Sequence, residues 1–374
     1  MARQRSRIHG ITPPPPPPPA GFYSWGSGYN GELGTGSSMM RSAPARIGSA
    51  SDWTVADSLY GNGYGLRSGK LYAWGSQYYG QIGDGSNDWS MGYSSPVQVG
   101  ADTDWTHVAG GDSTYVGGIR AGKLFMWGTS YNGALGLGSN IAYSSPVQVG
   151  ANTDWTSLAC GSDHTLAVRS GQLWATGYNG NGQLAQIGSI YYLSSFVQIG
   201  AASDWSLVRA RYSTSAAIKT DGTLWMWGDG SYGQMGNDTY DYANSSPIQV
   251  GSETDWTMVS LGPNFVLALR GGKLFAWGLD GYGQLGIGLD TGESFSSPIQ
   301  VGSETDWTHI SAGAYSSFGI RNSGRLYGWG YNYNGELGVG DTTDRSSPTQ
   351  IGSLGDWHDW LSVCSGSGFA FATR

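Results

Sequence analysis

Residues 105–149 read WTHVAGGDSTYVGGIRAGKLFMWGTSYNGALGLGSNIAYSSPVQV. Short runs of small and apolar residues alternate with glycine-containing turns, which is typical of antiparallel strands. The segment predicts three strands, over 105–109, 114–119 and 123–128, followed by a Gly-rich loop and a fourth strand over 147–149. Because the third strand is apolar on both sides, this small sheet must be covered by neighbours on both faces.

The same segment recurs along the chain at intervals of about fifty residues. An Asp-Trp pair places its tryptophan at Trp53, Trp105, Trp155, Trp205, Trp256, Trp307 and Trp357. A Trp-Gly pair keeps the same phase at Trp25, Trp74, Trp127, Trp227, Trp277 and Trp329, with Thr176-Gly177 as a variant. Ser-Ser-Pro ends at Pro96, Pro146, Pro247, Pro298 and Pro348, with Ala43-Pro44 and Ser195-Phe196 as variants. Three markers in phase indicate an array of seven repeats.

Seven four-stranded sheets predict an all-β, seven-bladed β-propeller with antiparallel blades. The chain begins at 22–26 with a third strand and ends at 360–371 with a first and a second strand, so both termini are expected to share one blade and close the ring. His358, Asp359 and Trp360 are read as three extra residues after the last Asp-Trp pair, forming a bulge or longer turn. The small residues of the first two strands are expected to line the axis, and the aromatic third strands to fill the space between blades. The domains are then an arm, 1–21, and the propeller, 22–374.

Two elements of the repeat resemble a known family. The run Gly-Lys-Leu-Phe-Met-Trp-Gly at 122–128 and the run Tyr-Asn-Gly-Ala-Leu-Gly at 131–136, at a period near fifty, are similar to the regulator of chromosome condensation repeat. The resemblance covers residues 22–374. It implies a seven-bladed propeller with mostly protein-binding roles. The Gly-Gly doublet of kelch repeats, which share the period, is not repeated here.

Composition restricts the function. Charged residues make up 12% of the chain and the net charge is −8, so broad electrostatic binding to DNA or to an anionic membrane is not expected. No stretch of eighteen apolar residues and no apolar N-terminal segment occur, so neither a membrane span nor a signal peptide is expected. Cys160 and Cys364 fall at the same repeat position and are interpreted as small core residues.

No motif for catalysis or for a cofactor is present: there is no nucleophile elbow, Walker loop, zinc-protease helix or carboxylate pair. The glycines at 228–236 predict a turn rather than a phosphate cradle, because no helix follows them. Residues 237–241 have the oxygen density of a calcium loop but lack its Gly and terminal Glu, so a solvated loop is expected and no metal. The histidines, namely His9, His107, His164, His309 and His358, are interpreted as structural.

Two arginines occupy positions where an aligned repeat has small residues. Arg209 and Arg211 stand where another repeat has Ala159 and Gly161, in a strand expected to run near the axis. They predict either a small anion site at one mouth of the channel or ion pairs with acidic neighbours.

The loops between the Leu-Gly and Ser-Ser-Pro elements vary while the frame does not. Their large side chains are Trp89, Tyr93, Tyr143, Tyr191, Tyr192, Tyr240, Tyr242 and Phe295. Aromatic residues with Ser, Asn and Gly on loops over a rigid frame resemble an antibody paratope, and predict a partner surface for a protein, a cell-surface component or a glycan. The alternative is that these aromatics pack locally against the blade rim.

The N-terminal arm is basic and then proline-rich. Arg3, Arg5 and Arg7 precede seven consecutive prolines, from Pro13 through Pro16 to Pro19. Such a run predicts a stiff polyproline II rod of roughly 20 Å, which would hold the basic tip away from the propeller. We expect the arm to anchor the protein in a larger assembly; the alternative is a disordered tail.

These features predict a non-enzymatic binding or assembly protein. A low-charge propeller of this repeat type, rich in Gly, Ser, Tyr and Asn, resembles proteins of bacteriophage virions and of their bacterial hosts. By analogy, this resemblance implies a capsid-decorating or tail-associated component anchored in a virion. The alternatives are a guanine-nucleotide exchange factor or an intracellular scaffold of the chromosome-condensation-regulator type. A light sensor similar to the plant ultraviolet-B photoreceptor is disfavoured because its Gly-Trp-Arg-His-Thr motif is absent.

Overall fold

A computed structural model describes residues 19–86, 92–112, 114–186, 190–289, 292–352 and 358–374. It is an all-β, seven-bladed propeller in which each blade is a four-stranded antiparallel sheet. The predicted fold class is confirmed.

The strands follow the repeat in chain order. They are β1 (Phe22–Gly26), β2 (Arg41–Arg46), β3 (Trp53–Leu59), β4 (Asn62–Arg67), β5 (Lys70–Gly75), β6 (Tyr93–Gln98), β7 (Trp105–Gly110), β8 (Tyr115–Arg120), β9 (Lys123–Gly128), β10 (Tyr143–Gln148), β11 (Trp155–Cys160), β12 (His164–Arg169), β13 (Gln172–Tyr178), β14 (Tyr192–Gln198), β15 (Trp205–Arg211), β16 (Thr214–Lys219), β17 (Leu224–Gly228), β18 (Asn244–Gln249), β19 (Trp256–Leu261), β20 (Phe265–Arg270), β21 (Lys273–Leu279), β22 (Ser294–Gln300), β23 (Trp307–Ala312), β24 (Ser316–Arg321), β25 (Leu326–Gly330), β26 (Arg345–Gln350), β27 (Ser362–Ser365) and β28 (Phe369–Thr373). A single 3₁₀ turn, Tyr131–Gly133, interrupts a loop. Blade 1 contains β27, β28, β1 and β2; blades 2 to 7 take the remaining strands four at a time.

The first strand of each blade lines a central channel. All seven first strands contribute to its wall, and their lining residues include Ala159, Ser260 and Ala312. Small side chains fit there because a propeller narrows toward its axis. The first strands therefore lie at the centre as predicted, whereas the second strands, which were also expected to line the axis, contribute no residue to the lining of this channel.

The termini close the ring within blade 1. Strand β1 pairs with β28 over five residues, from Phe22 opposite Thr373 to Gly26 opposite Phe369. Two further hydrogen bonds extend this ladder, from the Gly21 amide to the Arg374 carbonyl and from the Arg374 amide to the Gly21 carbonyl, at 2.9 and 3.0 Å. The facing edges of the two terminal strands are therefore fully paired, and the ring is closed as the sequence predicted.

The last repeat corrects one prediction. The amide of Trp360 donates to the carbonyl of Gly324 at 3.0 Å, as the amide of Trp307 does to Gly272 one blade earlier. Trp360 is also buried, and its ring packs edge-on against Trp25. Asp359-Trp360 therefore fills the marker position, and the three extra residues precede it rather than follow it; Trp357 lies outside the described residues.

The fourth strand is longer than predicted. In blade 3 it starts at Tyr143, four residues before the predicted start at Val147, and it includes the Ser-Ser-Pro element. Its pairing with β9 shifts register between Tyr143 and Val147. A proline is tolerated because this is the outermost strand, where one side of the backbone has no strand partner.

The Trp-Gly pair joins neighbouring blades. The indole N–H of each Trp-Gly pair donates to a main-chain carbonyl in the loop of the preceding blade. In blade 3, for example, Trp127 Nε1 donates to the Gln81 carbonyl at 3.0 Å. The same bond recurs for Trp25, Trp74, Trp227, Trp277 and Trp329. The glycine that follows is required by space: Gly128 has a φ of 93°, and a Cβ there would lie 2.4 Å from the Thr114 carbonyl oxygen.

Blade 4 lacks this indole, and Thr176, Thr165 and Phe196 take over its contacts. The Thr176 hydroxyl donates to the Gly133 carbonyl at 3.0 Å, and the Thr165 hydroxyl donates to the Ala134 carbonyl at 2.8 Å. The ring of Phe196 fills the space that the indole fills elsewhere, since a Cβ at Gly136 would lie 2.4 Å from it. The two sequence variants, Thr for Trp and Phe for Pro, therefore compensate for each other.

Candidate protein-binding face

Antiparallel pairing places two kinds of connection on the same side of the ring. The turns from first to second strands and the loops from third to fourth strands emerge together, and we call this side the tyrosine face. Its turns are 60–61, 111–114, 161–163, 212–213, 262–264, 313–315 and 366–368. Its loops are 27–40, 76–92, 129–142, 179–191, 229–243, 280–293 and 331–344. The second-to-third turns and fourth-to-first loops form the opposite face.

Exposed tyrosines concentrate on the tyrosine face. Among the described residues, those with at least two fifths of their surface exposed are Tyr29, Tyr60, Tyr78, Tyr79, Tyr131, Tyr191, Tyr212, Tyr232, Tyr240, Tyr242, Tyr282, Tyr315 and Tyr333, together with Tyr192 at the adjoining start of β14. None of them lies on the opposite face. Tyrosine offers apolar area and a hydroxyl at a low entropic cost, which suits a binding surface.

The charges of the tyrosine face all have one sign. Its turns and loops contain no Lys, Arg or His. Its described acidic residues are Glu32, Asp84, Asp112, Asp163, Asp229, Asp238, Asp241, Asp280, Glu293, Glu336, Asp341 and Asp344. Arginines of adjoining strands pair with two of these carboxylates, Arg211 with Asp112 and Arg345 with Asp341. The aromatic surface and the remaining carboxylates are complementary to a cationic partner.

Six cations at the opposite face are held by structural contacts. The guanidinium of Arg120 lies 5.6 Å from the ring centroid of Trp105 and 4.8 Å from that of Phe125, and it pairs with Asp102 and Asp104. Equivalent stacked and paired cations are Arg67, Arg169, Lys219, Arg270 and Arg321. These residues hold the first and third strands together, which explains why the basic residues collect on that side.

Four tyrosines form the densest group on the tyrosine face. The ring centroid of Tyr282 lies 5.0 Å from that of Tyr331 and 5.4 Å from that of Tyr315, and Tyr333 stacks on Tyr331 at 6.4 Å. We call Tyr282, Tyr315, Tyr331 and Tyr333 the tyrosine cluster. It spans the junction of blades 6 and 7.

Carboxylates lie beside the tyrosine cluster. Partial burial, together with the charges of Glu336 and Asp344, raises the pKa of Tyr331 above that of a free tyrosine. Asp344 is held in place because its Oδ1 accepts the Asn332 amide at 2.7 Å. Glu336 is buried and accepts the Asn334 amide, also at 2.7 Å. The cluster thus combines exposed aromatic rings with a local negative potential.

The central channel contains the two arginines that the sequence singled out. The channel has a volume of about 420 Å³ and is lined by both Arg209 and Arg211. Arg211 Nε lies 2.9 Å from Asp112 Oδ1, so this arginine forms the ion pair that was the alternative. Arg209 donates to the neighbouring Val208 carbonyl at 2.9 Å, and burial lowers its pKa while Asp57 opposes that change. For Arg209, the anion site stays a prediction.

The profile of one repeat family matches most of the ring. It is described as the regulator of chromosome condensation (RCC1) repeat and matches residues 68–116, 121–168, 221–269, 271–320 and 323–373. The chain belongs to the RCC1 repeat family. A second RCC1 repeat profile matches 155–183 and 307–336.

Relatives of this RCC1-repeat protein come from plants and animals. The ultraviolet-B receptor UVR8 of Arabidopsis thaliana is 27% identical over 342 residues, which cover 88% of this chain and 77% of UVR8. The mitochondrial RCC1 domain-containing protein RUG3 of the same plant is 27% identical over 348 residues, covering 89% and 71%. Human HERC2, an E3 ubiquitin-protein ligase, is 26% identical over 241 residues, and the match spans only 5% of its length. A bacterial or bacteriophage type of RCC1 repeat is not shown by these relatives.

Solved structures share the RCC1-repeat fold. Human WBSCR16 superposes with a TM-score of 0.82 at 21% identity, covering 94% of this chain and 99% of that one. Prp20p of Saccharomyces cerevisiae gives 0.80 at 18% identity, covering 96% and 92%. At such identities the comparison establishes the fold alone.

The predicted aromatic loop residues fall into three groups in this RCC1-repeat propeller. Tyr191, Tyr192, Tyr240 and Tyr242 are exposed, with Tyr191 at 72% and Tyr242 at 68% of their surface free. The hydroxyl of Tyr240 donates to the Ser294 carbonyl at 2.9 Å. Trp89 lies outside the described residues. For the exposed group, a binding role stays a prediction.

The third group is not in loops, which corrects the sequence prediction. Tyr93 and Tyr143 are the first residues of fourth strands, and Phe295 is the second residue of another. All three are half-buried and pack against the hydrophobic core, because the fourth strands are longer than the sequence indicated. The Tyr93 hydroxyl also donates to Asp84 Oδ2 at 2.8 Å.

The remaining predicted sites are placed as follows. Of the arm, only Pro19 and the two residues after it are described, and the Pro19 carbonyl accepts the Tyr23 hydroxyl at 2.6 Å. In loop 237–241, the Thr239 hydroxyl lies 2.8 Å from both Asn237 Oδ1 and Asp241 Oδ2 and donates its one hydrogen between them. Within the described ranges no three His, Cys, Asp or Glu side chains come together as a metal site. The same ranges contain no helix able to cross a membrane.

Sequence reasoning missed the tyrosine cluster, although a signal was present. The loop after each third strand contains a glycine that keeps its repeat position, including Gly283 and Gly335. A tyrosine stands one or two residues before this glycine in every blade except blade 4, as Tyr282 and Tyr333 do. Because this tyrosine recurs with the repeat, sequence reasoning assigned it to the constant framework and not to the variable surface loops.

Proposed function

We propose that this protein is a non-catalytic binding scaffold of the chromosome-condensation-regulator type, and that its tyrosine face binds a cationic polypeptide segment. The observation that carries the proposal is the confinement of the exposed tyrosines to one face, whose turns and loops contain carboxylates and no Lys, Arg or His. Buried tyrosine rings are frequent energetic centres of protein interfaces. Carboxylates beside them attract Lys and Arg, which also stack on aromatic rings.

Other readings of the function have less support. The relatives named above are plant and human proteins, so the virion role expected from composition finds no support in them. The structural work on Prp20p describes binding to Gsp1p and histones, which makes protein binding familiar on this fold but does not assign exchange activity to this chain. A neutral glycan on the tyrosine rings is the competing occupant of the same face.

Fluorescence anisotropy with defined peptides tests the proposal. The probe is a labelled peptide of alternating Arg and Pro, and its control has Glu in place of every Arg. The full-length protein should bind the Arg peptide more tightly than the Glu peptide, and the affinity should fall when the ionic strength rises to about 0.5 M. The double variant Tyr331→Ala, Tyr333→Ala should weaken binding about tenfold or more.

A matched variant controls for nonspecific effects. Leu361 is an exposed apolar residue, 64% free, in the last fourth-to-first connection, on the opposite face. Leu361→Ala should leave the affinity for the Arg peptide unchanged. Equal binding of the Arg and Glu peptides, or loss of binding only in Leu361→Ala, would overturn the proposed function.

A further inference from the structure

The first 18 residues of the chain have the chemistry that the tyrosine face requires. They contain Arg3, Arg5 and Arg7 and no acidic residue, followed by the prolines that run through Pro19. Proline-rich segments in the polyproline II conformation dock into grooves lined by aromatic residues, with little entropy lost on binding. Arginines next to such a segment pair with carboxylates at the groove.

The chain leaves the ring at the face opposite the tyrosines. In blade 1 the two termini stand where the other blades have their second-to-third turn, and β1 begins there at Phe22. Arg46 fixes this exit because its Nη2 donates to the Ala20 carbonyl at 2.8 Å. The exit is also held by the hydrogen bond from the Tyr23 hydroxyl to the Pro19 carbonyl and by the two main-chain hydrogen bonds between Gly21 and Arg374.

The stiffness of the arm argues against docking on its own ring. The exit lies at one end of β1 and the tyrosine face at the other, and the five residues of this strand alone span about 17 Å. To reach its own tyrosine face, the arm would have to reverse direction directly after the exit. Seven prolines predict a rod of roughly 20 Å that keeps its direction over several residues, so the sequence does not favour such a reversal.

We infer that the arm, residues 1–18, of one copy docks on the tyrosine face of a second copy, at the tyrosine cluster. This inference rests on the proposed function, because it names the cationic segment that the face binds. The contact is head-to-tail: each copy offers an arm on one side and a receptor face on the other. Contacts of this kind build open chains or rings instead of closed symmetric dimers.

Charge and shape support the tyrosine cluster as the receptor. Tyr331 and Tyr333 are stacked, and Tyr282 and Tyr315 meet them edge-on, so the rings form one continuous aromatic surface. Asp344 lies at its side, and the arginines that precede the proline run are the candidate partners of its carboxylate. Six cations of the described ring, namely Arg67, Arg120, Arg169, Lys219, Arg270 and Arg321, are bound to structural partners, whereas the arm places three arginines in one proline-rich segment.

Sedimentation velocity on two complementary variants tests the inference. The arm variant, Arg3→Glu with Arg5→Glu and Arg7→Glu, keeps its tyrosine face. The face variant, Tyr331→Ala with Tyr333→Ala, keeps its arm. The wild-type protein should sediment faster as its concentration rises, and less so at an ionic strength of about 0.5 M. Each variant alone should sediment as a monomer.

The equimolar mixture of the two variants decides the question. Each mixed pair has one intact arm and one intact face, so the mixture should form one-to-one dimers and nothing larger. A monomeric mixture overturns the inference, as does a wild-type protein that stays monomeric at every concentration. If the wild type is monomeric but the Arg-Pro peptide still binds, the inference fails while the proposed function stands. Leu361→Ala, the matched control, should assemble like the wild type.

Discussion

At the residue scale, His164 shows how one repeat position accepts different side chains. It starts the second strand of blade 4, where blades 6 and 1 have Phe265 and Phe369. In each case the side chain packs against a glycine, and a Cβ added at that glycine would collide with it. At Gly161, such a Cβ would lie 2.3 Å from the His164 ring. His164 is fully buried, and its Nε2 lies 2.9 Å from the Ser215 hydroxyl. Burial lowers the pKa of His164 to about 3.

We predict that His164→Phe makes the propeller less sensitive to acid. In the unfolded wild-type chain, His164 is protonated below about pH 6.5, whereas in the folded protein it stays neutral down to about pH 3. Stability is therefore lost as pH falls through this window, by at most about 1.4 kcal/mol per pH unit. Phenylalanine does not titrate and fits the same slot in two other blades, and Ser215 keeps its bond to the Gln183 carbonyl.

Urea unfolding of both proteins at pH 7 and near pH 4.5 measures the effect. The free energy of unfolding of His164→Phe should fall less between the two pH values than that of the wild type. An equal fall in both proteins would show that His164 does not titrate differently in the folded chain.

At the element scale, the frame of each blade was predictable and its outer edge was not. The first and third strands are dominated by small, aliphatic and aromatic residues, and 123–128 was predicted with the bounds that β9 has. The fourth strand reads Tyr-Ser-Ser-Pro-Val-Gln in blade 3, whose polar residues and proline indicate a loop. It is nevertheless a strand because an outermost position needs partners on one side only.

We predict strong coupling between positions 176 and 196 in blade 4. Thr176→Trp alone should destabilise by about 1–3 kcal/mol, because Phe196 already fills the space of the indole. Phe196→Pro alone should cost about 2–4 kcal/mol, because it empties that space. The double variant restores the Trp and Pro of the other blades and should recover most of the loss.

A double-mutant cycle from urea unfolding measures this coupling. The expected coupling energy is about 1–3 kcal/mol in favour of the double variant. Additive effects of the two single substitutions would contradict the compensation inferred between them. The reverse change Trp277→Thr in blade 6, where Pro298 stands at the position of Phe196, should remain destabilising and serves as the control.

At the scale of the whole molecule, the antiparallel blade sorts the chemistry of the chain onto two faces. Cations that stack on Trp and Phe must lie where second strands end and third strands begin, so the opposite face takes Lys and Arg. The other ends of these strands carry the tyrosines and carboxylates. The sequence predicted that the variable loops would share one side of the ring. It did not predict that the charges in the turns and loops of that side would all be negative, because this pattern is visible only once every turn and loop is assigned to a face.

Hydrogen–deuterium exchange of the full-length protein, with and without the Arg-Pro peptide, tests most directly that the tyrosine face is the binding surface. Amide exchange should slow in 280–289, 313–315 and 331–344, which carry the tyrosine cluster. It should stay unchanged in the turns 220–223 and 322–325 of the opposite face. Protection confined to those opposite turns, or no protection at the cluster under saturating peptide, would contradict the account.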